Sequence, residues 1–189
     1  DLSDPSQPKF IRNFGLPGQQ PDVPNHEEMA KYDLHGGIRV GNRLYFGYGT
    51  MLNGVIQIID RERMLRGNPA AADPFAPTDA NLEYPVITTM FTSPRLGAHT
   101  TLPMLGMDIP EFAKSTEGRT RDMLLVVNEA LRNECRGENR QMAYLVDITT
   151  EEMPWPVSNF QVPEASGNSP HWRSPLPTAL RRAVRVASS

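Results

Sequence analysis

The chain repeats itself. Its opening, DLSDPSQPKFIRNFGLP from Asp1, overlays DITTEEMPWPVSNFQVP from Asp147, matching Asp1/Asp147, Pro8/Pro154, Asn13/Asn159, Phe14/Phe160 and Pro17/Pro163. Leu2/Ile148, Ser3/Thr149, Ile11/Val157 and Leu16/Val162 agree in character. A shorter copy, PVITTMFTSP from Pro85, keeps the same Pro-to-Phe-to-Pro spacing through Phe91 and Pro94. Repetition on this scale restricts the fold to arrays in which one supersecondary unit has an apolar face that only a neighbouring unit can cover.

The unit itself reads as four short strands. HGGIRVGNRLYFGYG, from His35, alternates apolar and polar residues on both sides of Gly41-Asn42, a two-residue hairpin signal. GVIQIID, Gly54 to Asp60, is apolar on both faces and reads as a central strand. After the insertion Arg61 to Tyr84 comes the Pro85 copy as fourth strand. A second unit runs through GAHTTLPML, a break at Gly106 to Thr120, DMLLVVNEA, MAYLVDITT and the Pro154 copy. Trp155, beside the Pro154 turn, reads as a blade-packing residue.

Residues 1–17 then read as the end of a preceding unit, with Pro8 to Phe14 as its fourth strand; 18–94 and 95–168 are two units, and 169–189 an irregular basic tail. The fold class expected is all-β: an incomplete β-propeller of four-stranded antiparallel blades, two blades plus part of a third. Blades left without neighbours imply self-association, or missing blades of a longer chain.

Composition removes several alternatives. Eighteen Pro and 14 Gly in 189 residues disfavour long helices, because each is costly inside one. A formal charge of −3 supplies no field for nucleic acid, and no apolar run approaches the ~20 residues of a membrane-spanning helix. The single cysteine, Cys135, lies in the polar run RNECRGEN and reads as a spare loop residue. Compartment is left open, with cytoplasm favoured over periplasm.

AYLVDITT at Ala143 to Thr150 and DLSDPSQPKFI at the start share an Asp followed by an aliphatic, a Ser or Thr and a later Pro, and IQIID at Ile56 to Asp60 keeps the aliphatic run that leads into the Asp. With these residues the chain resembles the bacterial LVIVD-repeat β-propeller family over about residues 1–168. DLHGGIRVGNRLYFGYG, GAHTTLPM, RDMLLVVNEA and FQVPEASGN resemble a subgroup of its long members. The resemblance implies the propeller and no particular reaction. In that subgroup a Gly- and His-rich run and a further blade follow, whereas SPHWRSPLPTALRRAVRVASS here departs from the pattern and reads as a truncated or frameshifted continuation.

His35 and His99 hold comparable places, each where a new first strand begins. In a propeller those strands line a central channel, where imidazoles from different blades converge and can bind a divalent transition metal through a neutral ring nitrogen. Glu129, where an apolar strand ends, is the better carboxylate to act as ligand or general base; Asp33 is the other. His26 reads as solvated, and His171 belongs to the tail. No nucleophile elbow or phosphate-binding glycine loop is present.

Two functions are carried forward. One is a binding scaffold whose loops, Arg61 to Tyr84 and Gly106 to Thr120, present a surface. The other is a metal-dependent enzyme using His35, His99 and Glu129 on a small organic substrate in the channel.

Overall fold

The computed structural model describes residues 1–160 apart from 22, 25, 50–52, 93–95 and 130–141. Eight strands dominate it: β1 (Leu34–Val40), β2 (Arg43–Tyr48), β3 (Val55–Asp60), β4 (Val86–Phe91), β5 (Thr100–Asp108), β6 (Thr120–Val127), β7 (Ala143–Asp147) and β8 (Trp155–Phe160). They form two antiparallel sheets with strands in chain order, β1-β2-β3-β4 and β5-β6-β7-β8. Within each sheet consecutive strands therefore pair with each other, as short connections favour.

The local chemistry explains each element. Gly41 takes φ 55° in the β1–β2 turn, the left-handed conformation that a two-residue hairpin demands. β3 is interior to its sheet and buried along Val55 to Ile59, in keeping with its apolar residues on both faces. The repeated Asp organises the turn that follows it. Asp1 and Asp147 each accept, through Oδ1, the amide N–H of the residue two positions on (Ser3 and Thr149, both at 2.9 Å). Asp60 uses the same oxygen for the amide of Arg63 (3.0 Å) and so caps the helix α2 (Arg61–Arg66).

One face of each sheet meets the other. Tyr45, Ile56 and Ile58 of the first sheet pack with Leu124, Val126, Tyr144 and Val146 of the second, together with Ala98 from the connection. Each of these larger apolar side chains gains about 1.5–3 kcal/mol from full burial, so this junction dominates the stability of the pair. Gly54 is necessary beside it, since a Cβ there would lie 2.6 Å from the Ala98 amide nitrogen. Polar ties reinforce the apolar contact: the Thr101 hydroxyl donates to the Tyr45 carbonyl (2.9 Å), and Arg43 on β2 reaches both Asp60 (3.3 Å) and Glu151 of the second unit (2.9 Å).

The other face of the first sheet is covered by the N-terminal segment, with Leu16, Met29 and Tyr32 against Phe46, Tyr48 and Val55. Residues 1–17 contain no strand, which corrects the expectation of a fourth strand over Pro8 to Phe14. No sheet edge among the described residues pairs with them, so the segment is held by side chains. Phe14 lies edge-on to Phe46, and Arg12 donates to the carbonyls of Met64 and Asn81. Phe14 therefore differs from Phe91 and Phe160, which end β4 and β8 paired with Val55 and Ala143.

The insertion Arg61 to Tyr84 is also more regular than a loop. It carries α2 and α3 (Asp79–Glu83), the latter capped by the Thr78 hydroxyl accepting from Asn81 N. The break between β5 and β6 is shorter than expected, because β5 extends to Asp108. Arg121, 2% exposed, anchors that connection from below: it pairs with Glu117 and with buried Asp147 (3.4 Å), and lies 4.9 Å from the Phe112 ring. Trp155, expected to pack inside, is half exposed. The tail, Cys135, His171, Pro94 and Pro163 fall outside the described residues.

The junction sets the expected response to mutation. Ile58→Ala should lower the unfolding free energy by about 2–5 kcal/mol in urea titration, while Leu2→Ala, on exposed surface, should change it by less than about 0.5 kcal/mol. Burial also holds the phenols of Tyr45, Tyr48 and Tyr144 protonated, Tyr45 being pushed up to about 12 chiefly by desolvation. Below pH ~10 folded and unfolded chains carry these protons alike; above it the unfolded chain loses protons that the folded one keeps. Stability should then fall as pH rises past ~10, by about 1 kcal/mol per pH unit for each ring, measurable as alkaline unfolding at matched urea concentration.

Candidate metal centre

Three side chains from two sheets meet where the first strands begin. His35 is the second residue of β1, at an irregularity between Leu34 and Gly36 where the register with β2 shifts. Such bulges turn a side chain out of the regular alternation. His99 immediately precedes β5 and is fixed by its own amide, which donates to the Val127 carbonyl (3.1 Å). Glu129 stands two residues beyond the end of β6, the strand that pairs with β5.

The two imidazole rings lie with centroids 3.3 Å apart and planes tilted by 33°. His99 Nε2 is 3.1 Å from Glu129 Oε2. One ligand atom from each of His35, His99 and Glu129 can be chosen so that all three lie within 4.8 Å of one another. His99 and Glu129 are partly buried and His35 is exposed, so the cluster opens to solvent on the His35 side.

The other ring nitrogen of His99 is also engaged. Its Nδ1 lies 2.8 Å from the Thr100 hydroxyl, a group that either donates or accepts. With Thr100 donating to Nδ1, the Nε2–H faces Glu129; with Nδ1–H donating to Thr100, Nε2 presents a lone pair. The hydroxyl can therefore accept from Nδ1–H and so accommodate the tautomer that a metal at Nε2 requires.

The three residues singled out in the sequence are thus brought together across the sheet junction. Asp33 is exposed and is not part of the cluster, and His26 lies in the short helix α1 (His26–Met29), away from any grouping of ligand side chains among the described residues. Thr100 was missed by the sequence reading, where the hydroxyl beside the histidine in GAHTT is its one visible signal. No helix among the described residues is long and apolar enough to cross a membrane. Comparison with known proteins finds no matching family model, no matching curated protein and no matching solved structure.

Proposed function

We propose that the two sheets are successive blades of a β-propeller segment and that a divalent transition metal binds between them through His35, His99 and Glu129. The carrying observation is the convergence of two imidazoles and a carboxylate, from different sheets, to within 4.8 Å. The blade reading is supported by the face-to-face packing of two units of identical strand order, with β1 and β5 adjacent at the junction.

The residues fit the ion. Metal–nitrogen and metal–oxygen bonds of about 2.0–2.2 Å put the donors of a tetrahedral site roughly 3.3 Å apart. Reaching that from the present spacing takes up to about 1.5 Å of movement, which falls to the His35 ring, exposed to solvent on the side away from His99. Two neutral nitrogens and a carboxylate suit Zn, Fe, Co or Ni better than Ca or Mg, which prefer oxygen throughout.

Three protein donors leave coordination positions open, as catalytic centres do and closed structural sites do not. The metal would supply Lewis acidity or redox chemistry toward a small organic molecule, and the protein would orient it and hold the ligands. The scaffold reading retains its own support in the ordered insertion Arg61 to Tyr84, whose helices are tied down by Arg12.

Metal analysis separates the two. The protein reconstituted with Zn(II) or Co(II) should retain about one equivalent after desalting, and the His35→Ala/His99→Ala protein none. Affinity should fall as pH is lowered, because only unprotonated imidazole binds. A wild-type protein that retains no metal would return the assignment to a scaffold. Thr100→Val should weaken Co(II) binding by about 10- to 100-fold with the circular dichroism spectrum unchanged, while Thr100→Ser should bind nearly as well as wild type, in a spectrophotometric titration.

A further inference from the structure

The two sheets present equivalent faces to different surroundings. Overlaying Asp60 on Asp147 places Ile58 on Leu145 and Ile56 on Ala143, and the cross-strand partner of Ile58, Tyr45, on that of Leu145, Leu125. In the first sheet Tyr45, Ile56 and Ile58 are buried against the second sheet. In the second sheet the same positions line an open groove of about 250 Å³, shared by Met104, Leu125, Ala143, Leu145, Ser158 and Phe160.

The rest of this face is apolar too. Leu102, paired with Leu125, is 44% exposed; Val127 is 36% and Phe160 63%. A contiguous apolar face of this kind on a folded chain marks a contact surface. Its floor is firm: at one end Arg121 and Asp147 are sealed under Phe112, Ser115 and Glu117, which leaves the aliphatic end alone uncovered among the described residues.

We infer that this face of β5–β8 is a homodimer interface, closed by the same face of a second copy of the chain about a two-fold axis. Two observations favour a second copy. The equivalent positions of the first sheet are covered by the opposite face of a sheet of this same repeat, and the one face that could repeat that contact head-to-tail, that of Phe46, Tyr48 and Val55, is already covered by Leu16, Met29 and Tyr32, which leaves the same face of a second copy as the matching aliphatic layer among the described residues. No charged side chain among the described residues lines the groove, so pairing it with itself brings no like charges together and covers both copies at once. The inference is independent of the metal centre, whose ligands lie at the junction between the two sheets of one chain.

Sedimentation velocity of the full chain from about 1 to about 100 µM tests it. The expected result is a reversible monomer–dimer equilibrium. Leu102→Arg and Val127→Arg should each raise the dissociation constant by about tenfold or more with circular dichroism unchanged, whereas Phe91→Arg on the first sheet should leave it unaltered. Should either arginine variant misfold, amide exchange decides on the wild type: protection of β5 and β8 should increase with concentration. A monomer across the range overturns the inference, including a monomer whose β5–β8 amides are protected because the chain's own remaining residues cover the face. So does a dimer that Phe91→Arg dissociates and Leu102→Arg does not.

Discussion

The structure depends on the mutual burial of two aliphatic sheet faces. A four-stranded antiparallel sheet with residues such as Val55, Ile56, Ile58 and Ile59 apolar on both sides is not stable alone in water, since one side at least remains wet. The first sheet meets that constraint twice, with the N-terminal segment on one face and the second sheet on the other. Thr101, Arg43 and the glycine at position 54 then fix how closely and in what register the sheets meet.

The candidate metal centre is a consequence of that packing. None of its three side chains sits inside a regular strand pattern: His35 occupies a bulge, His99 precedes a strand, and Glu129 follows one. Each is therefore free of the alternation that would send neighbouring side chains to opposite faces. They converge because β1 and β5 are brought side by side when the aliphatic faces close. Pulling the sheets apart would separate His35 from the other two.

Much of this is legible in the sequence. The strands, the Gly41-Asn42 turn and the interior position of β3 follow from period-two patterning and turn chemistry, which are local signals. His35 and His99 stand out by their equivalent places in the repeat, and Glu129 by its position at a strand end. What is not legible depends on partners distant in the chain. Pro8 to Phe14 carries the repeat pattern yet forms no strand, because a strand needs an edge to pair with and sequence similarity does not provide one. Arg121 looks like an ordinary charge in a polar break, and only the folded connection, with Phe112, Glu117 and Asp147 around it, makes it an anchor. The regular helices of the insertion are hidden by its prolines, which fall outside α2 and α3.

If the closed sheet junction creates the metal centre, metal binding and the docking of the two sheets are one equilibrium. Urea unfolding measured at increasing free Co(II) is the most direct test, because a ligand bound only by the folded chain adds about 2.7 kcal/mol at one hundred times its dissociation constant. That rise is expected for the wild-type chain, and its loss in His35→Ala, which removes the ligand contributed by the first sheet. An equal rise in His35→Ala would place any metal within the second sheet alone and contradict a centre assembled across the junction.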